Sequence, residues 1–186
     1  MRIEMNIVEH AVKYAAEKHK GQFRKTGNRP FVCHVIEVMA ILKSFGYEED
    51  YILAAAALHD VIEDCEVSRE ELQMVFGERV ANIVQELSNP IGDNDLTSEE
   101  RNRINTEHLS KAKEFATFRI KCADRIANLR EMDWYGNRRW CESFTKRTRL
   151  YLLPLMKKEL YNLPIYYALE RIVIENENKL AFREYL

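Results

Sequence analysis

One segment constrains this chain more than any other. From Ile52 to Leu58 it runs Ile-Leu-Ala-Ala-Ala-Ala-Leu, apolar nearly all the way round a helix, and then turns abruptly ionic at His59, Asp60, Glu63 and Asp64. A helix without a polar face belongs in the middle of a protein, covered on every side by other elements. At helical spacing, His59 and Glu63 share one face and Asp60 and Asp64 the adjacent one. Four ionisable groups at the end of a buried helix are costly unless they pair or hold a metal ion. The alternative is a helix end emerging into solvent.

The rest of the sequence supplies the covering elements, and nearly all of it reads as helix. Asn6 and Glu9 resemble a capping box opening a helix that ends near Lys20-Gly21. Helical spacing returns at Val32, runs through Val35, Val38, Met39 and Leu42, and stops near Gly46. Ser68 with Glu71 and Thr97 with Glu100 predict two further capping boxes, and Phe76-Gly77 predicts a stop between two helices. Residues 115–130 give another helix, and two C-terminal helices follow, the first kinked at Pro154 and the last beginning with Pro164 in its first turn. Gln22–Pro30 and Ser88–Leu96 read as loops, the first basic and the second acidic. No strand alternation, internal repeat or low-complexity segment interrupts the pattern. The expectation is an all-α fold, one domain over residues 1–186.

Charge and cysteine usage exclude several classes. With 28 basic and 30 acidic residues the net charge is −2, which gives no broad basic surface for nucleic acid. No segment approaches the roughly 18 to 20 apolar residues of a membrane span, and the N-terminus lacks a signal-peptide run. Cys33, Cys65, Cys122 and Cys141 are scattered, which fits reduced thiols in a cytoplasmic protein better than a disulfide framework or a thiolate zinc site.

Three features bear on the His59–Asp64 cluster. His34 sits inside the apolar stretch Phe31-Val32-Cys33-His34-Val35. Asp124 lies near the apolar face formed by Ile120, Ala123, Ile126 and Ala127, and a buried aspartate requires a partner. Arg24-Lys25 precedes His34, and adjacent cations suit a phosphate-rich ligand. Imidazole and carboxylate together suit manganese, iron or zinc better than calcium.

In this order the residues resemble the HD superfamily. The closer resemblance is to the hydrolase domain of the Rel/Spo alarmone enzymes and the small alarmone hydrolases. It rests on four segments within about residues 7–155: Arg24-Lys25-Thr26-Gly27 through Pro30-Phe31 to His34; Leu58-His59-Asp60 with Glu63-Asp64; Phe76-Gly77 with Val80; and Lys121 with Ala123-Asp124-Arg125, Asn128 and Arg130. The resemblance implies an HD-type helical bundle in which His34, His59, Asp60 and Asp124 hold one divalent metal ion, usually Mn²⁺. It further implies that Glu63 and Asp64 position and activate water, that Arg24 and Lys25 hold the guanosine and phosphate side of the substrate, and that Asn128 contacts the nucleoside. Arg147 and Tyr151, one turn apart, resemble a pair that also faces the ligand. The implied reaction converts guanosine tetra- or pentaphosphate to GDP or GTP and pyrophosphate. The implied partner is that small-molecule nucleotide, with no nucleic acid and no membrane. A different nucleotide, such as a nucleoside 5′-monophosphate or NADPH, is one alternative; a non-catalytic nucleotide-binding module is another. The chain departs from the pattern in four places. Phe31 stands where a tyrosine is usual and Val35 where a proline is usual; the basic loop is one residue longer, through Arg29; and the 90–96 loop is acidic where relatives often carry lysine.

Overall fold

The computed structural model describes residues 6–24, 28–90, 96–132 and 136–182, with the side chain of Phe182 left aside. Its elements are α1 (Ile7–Lys18), α2 (Val32–Ser44), α3 (Asp50–Ala57), the short α4 (Val61–Asp64), α5 (Arg69–Phe76), α6 (Glu78–Leu87), α7 (Ser98–Leu109), α8 (Phe115–Arg130), α9 (Arg138–Arg147), a π-helical turn (Thr148–Leu152), α10 (Leu153–Leu160) and α11 (Pro164–Phe182). Among the described residues the only pairing of strand type is an isolated bridge between Phe23 and Pro30. No described helix is long and apolar enough to cross a membrane.

Helix α3 occupies the centre, as its composition requires. It packs against α1, α2, α6 and α8, and Ile52 through Leu58 are all buried. Its four alanines let neighbours approach closely; α1 answers with Ala11 and Ala15, both fully buried. Helix α8 forms the second axis of the core, in contact with α2, α6, α10 and α11. Each Leu or Ile buried between these axes contributes about 1.5–3 kcal/mol.

The apolar helix does not run on into the ionic segment as its periodicity predicts. It ends at Ala57, and residues 58–60 turn before α4 begins. His59 Nδ1 bonds the Ala56 carbonyl at 2.8 Å, taking the acceptor that a continuing helix would offer to the Asp60 N–H. His59 and Glu63 therefore do not share a helical face: His59 is buried and Glu63 exposed.

The helix starts and stops divide in the same instructive way. The Thr97–Glu100 capping box closes in both directions. Ser68 accepts from Glu71 N at 3.1 Å, but the Glu71 carboxylate is taken by Tyr14 Oη and Lys18 Nζ, so only half of that box forms. Asn6 caps Val8 N at 2.8 Å and works without Glu9. Gly46 and Gly77 both adopt positive φ, +81° and +85°, and end the helices before them. The kink expected at Pro154 is realised as the π turn immediately before it: Leu153 N–H reaches back five residues to the Thr148 carbonyl. A proline at 154 has no N–H to give the Leu150 carbonyl, which removes a rung of the ordinary ladder there.

Candidate metal centre

Two histidines and an aspartate converge between α2, the α3–α4 turn and α8. One ligand atom from each of His34, His59 and Asp124 lies within 4.8 Å of the others, and all three residues are buried. Asp124 Oδ1 stands 3.2 Å from His34 Nε2 and 3.8 Å from His59 Nε2. Asp60, at the turn, places Oδ2 2.9 Å from His59 Nε2. It faces the group across His59 and is not among the three mutually close ligands.

The chemistry of these atoms fits a cation. His59 Nδ1–H donates to Ala56 O, which turns Nε2 toward the carboxylates, where a metal ion could take the place of its proton, the orientation usual for a metal-binding imidazole. His34 Nε2 and His59 Nε2 are buried with carboxylate oxygens beside them, at 3.2 and 2.9 Å, but make no well-aligned hydrogen bond, an arrangement that normally costs free energy. The local field is negative. Burial opposes charge on His59, but Asp60 and Asp124 outweigh it and raise its pKa to about 9. Burial also opposes charge on Asp124, yet His34 and Lys121 hold its carboxyl well below the usual range.

A chain of contacts carries Asp124 outward to the basic loop. Asn128, one turn along α8, donates Nδ2 to Asp124 Oδ1 at 2.5 Å. Its Oδ1 accepts from Arg24 Nη2 at 2.6 Å, while Arg24 Nε donates to Glu131 Oε2 at 2.8 Å. Arg29 also pairs with Glu131. The loop reaches α8 because its two arms are tied, Arg24 N to Arg29 O at 2.8 Å and Phe31 N to Gln22 O at 3.0 Å. Phe31 lies beneath the Arg24 guanidinium, 5.6 Å from centroid to Cζ, and stacks on His19. Lys25 falls outside the described residues, as do Trp134 and Tyr135 and most of the acidic 90–96 loop.

Glu63 and Asp64 stand just outside the metal-capable group. Asn89 Nδ2 bonds both Glu63 oxygens at 2.9 Å, and Asn89 N reaches Oε2 at 3.2 Å. Asp64 is freer. Its carbonyl accepts from Gln22 Nε2, and burial together with the Asp60 and Glu63 charges raises its carboxyl pKa.

Next to this centre opens a cleft of about 190 Å³ whose lining includes Asn89, Asn105, Lys121, Arg125, Arg147 and Tyr151. Lys121 joins cleft to centre, with Nζ 3.7 Å from Asp124 Oδ2; Asn89 joins it to Glu63. Arg147 and Tyr151 both line this cleft. Burial and then the neighbouring Arg101 charge lower the Arg147 pKa, so the cleft already crowds positive charge and suits an anion. Sequence reasoning missed several participants: Glu131, Asn89, Arg125, and His108, whose buried Nε2 lacks a partner at the cleft. Lys121 stood in the recognised α8 segment without a role. His19, set among polar residues in the sequence, is buried beside Cys65. Trp140 stacks on Phe144, centroids 5.0 Å apart, and packs between helices.

Comparison with known proteins bears on this geometry. A family model described as HD domain matches residues 11–146. The chain is 35% identical over 144 residues to the guanosine-3′,5′-bis(diphosphate) 3′-pyrophosphohydrolase MESH1 of Xenopus tropicalis, spanning 76% of this chain and 78% of that one. It is 34% identical to a Myxococcus xanthus GTP pyrophosphokinase over 70% of this chain, but only 18% of that much longer protein. A solved structure described as a metazoan ortholog of SpoT that hydrolyzes ppGpp superimposes with a TM-score of 0.74 at 28% identity, covering 94% of this chain and 98% of its own.

Proposed function

The chain belongs to the HD-domain family, and from that premise we propose that it is a Mn²⁺-dependent 3′-pyrophosphohydrolase of guanosine tetra- and pentaphosphate. The observation that carries the reading is the buried His34–His59–Asp124 group, with both Nε2 atoms turned toward carboxylate oxygens, opening onto a cationic cleft. In this reading His34, His59 and Asp124 hold the ion, and Asp60 completes the set from beside His59. A divalent ion bound there supplies Lewis acidity and acidifies water.

The protein's own groups do the rest. Asp64, whose carboxyl pKa is raised by burial and by the Asp60 and Glu63 charges, takes the proton of the attacking water. Glu63, fixed by Asn89 through both oxygens, orients that water. Water adds to the phosphorus bonded to the ribose 3′-oxygen, the bond between them breaks, the 3′-oxygen takes up a proton to become the free hydroxyl, and GDP or GTP leaves with pyrophosphate. Lys121 and Arg147 offset phosphate charge along the cleft. Arg24 and Lys25 are assigned to the guanosine side, with Arg24 aligned by Asn128 and Glu131. Tyr151 closes the wall beside Arg147. We read the setting as cytoplasmic, in keeping with four cysteines that form no disulfide, two of them buried.

The test is a substrate panel with Mn²⁺: guanosine tetraphosphate, NADPH and deoxynucleoside 5′-monophosphates, with product identification. Pyrophosphate and GDP from the first, at a kcat/KM well above the others, is the expected result. Preference for NADPH or a monophosphate assigns a different nucleotide to the same chemistry. A metal-loaded protein that releases phosphate from none of them is a binding module.

A further inference from the structure

Of two residues that line the cleft, Arg147 stands just before an irregular piece of backbone and Tyr151 stands within it. Thr148–Leu152 is the π turn, closed by Leu153 N–H on the Thr148 carbonyl. It holds one more residue than an α-helical turn, which resets the phase of every side chain beyond it. A turn of this kind sets where Tyr151 stands relative to Arg147, provided something fixes where the turn begins.

Arg125 fixes it. From α8 its Nη1 donates to Thr148 Oγ1 at 2.9 Å. That hydroxyl donates in turn to the Phe144 carbonyl at 2.8 Å, and its residue is fully buried. The guanidinium also lies on the Phe144 ring, Cζ 4.4 Å from the centroid, where a cation–π contact adds to the hydrogen bond. Trp140 packs against Phe144, and Arg147 Cζ is 5.6 Å from the same ring. One guanidinium therefore ties the first residue of the turn and the aromatic side chain one helical turn earlier to the helix that carries Asp124. Leucine would join two helices at lower cost than an arginine whose Nε is buried without a partner. An arginine in the cleft wall instead couples the wall to the metal-bearing helix.

We propose that Arg125 and Thr148 form a positioning clamp that sets the distance of the Arg147–Tyr151 wall from the metal centre and so governs affinity for the phosphate groups in the cleft. The proposal rests on the hydrolase reading for its substrate but not for its geometry.

Thr148→Val keeps the shape and removes the hydroxyl; Thr148→Ser keeps the hydroxyl. The clamp predicts that Thr148→Val raises KM for guanosine tetraphosphate about tenfold with kcat within about threefold of wild type, the loss of one charge-assisted hydrogen bond. Mn²⁺ content should be unchanged, and Thr148→Ser should restore KM. Arg125→Lys keeps the charge but not the fork and should raise KM similarly. Combined with Thr148→Val it should add nothing further, because both changes break one interaction. Binding of inorganic pyrophosphate to Mn²⁺-loaded protein, measured by calorimetry, should weaken in the same pattern. That binding arm stands even where wild type hydrolyses no guanosine tetraphosphate, an outcome that overturns the functional reading alone. Wild-type KM and pyrophosphate affinity in Thr148→Val, or in Arg125→Lys if the valine variant does not fold, would overturn the clamp. So would additive effects in the double variant, or loss of Mn²⁺ in step with affinity.

Discussion

His59 uses its two ring nitrogens for opposite tasks. Nδ1 bonds the Ala56 carbonyl, ending the apolar helix and turning the ring, and Nε2 faces Asp60 and Asp124. Asn89 does for Glu63 what Ala56 does for His59. Asn89→Ala should therefore leave Mn²⁺ binding intact and lower kcat by about tenfold, the scale of losing the groups that orient a catalytic carboxylate; steady-state kinetics with metal analysis checks it. Glu63→Ala should also keep the metal, with a larger loss of turnover, and full activity in Glu63→Ala, Asp64→Ala would remove both assigned roles. At this scale, His34, His59 and Asp124 were legible because each is an ionisable residue in apolar surroundings, a conflict that only a partner resolves. Asn89 and Glu131 were not. Each is an ordinary polar residue whose partner lies 26 or 107 positions away, and no local pattern records such a pairing.

Helices were legible where local chemistry decides and illegible where a distant group intervenes. Gly77 could be read as a stop because positive φ favours glycine, and it adopts +85°. A Cβ there meets nothing within 4 Å, but with ψ at 163° the backbone lies in a region essentially reserved for glycine, so Gly77→Ala should cost the backbone strain, about 1–3 kcal/mol, seen as a lower denaturation midpoint at unchanged m. The Ser68 box is half-formed because Tyr14 and Lys18 of α1 claim Glu71, and the π turn lies just before a proline, with its first residue bonded by an arginine of another helix. The tie between the basic loop and α8 carries a pH signature. Burial raises the Glu131 carboxyl, but the hydrogen bonds from Arg29 and Arg24 outweigh it and depress its pKa. The pairing stabilises the fold fully above the unfolded-chain value of about 4.3 and is lost as pH falls through the lower folded value. In Glu131→Gln, stability should consequently fall less steeply than in wild type as pH drops below about 5; urea midpoints across that range provide the measurement.

Over the whole molecule, a helix apolar on all sides forces a layered bundle, and the bundle brings α2, the α3–α4 turn and α8 to one point. The all-α class followed from composition and period alone; the placement of a cationic cleft against that point did not, because it depends on how α7, α8 and α9 meet. Three elements share the metal-capable group, so a bound ion should stabilise the fold as well as the chemistry. With free Mn²⁺ at a hundred times its dissociation constant the gain is about 2.7 kcal/mol, and chelation should lower the melting temperature accordingly. The most direct test of the account is a Mn²⁺ titration of wild type and Asp124→Asn by calorimetry, with pyrophosphate release from guanosine tetraphosphate followed in the same samples. The account predicts one ion per wild-type chain, with binding and turnover lost together in the variant. An Asp124→Asn protein that binds Mn²⁺ and releases pyrophosphate like wild type would contradict it.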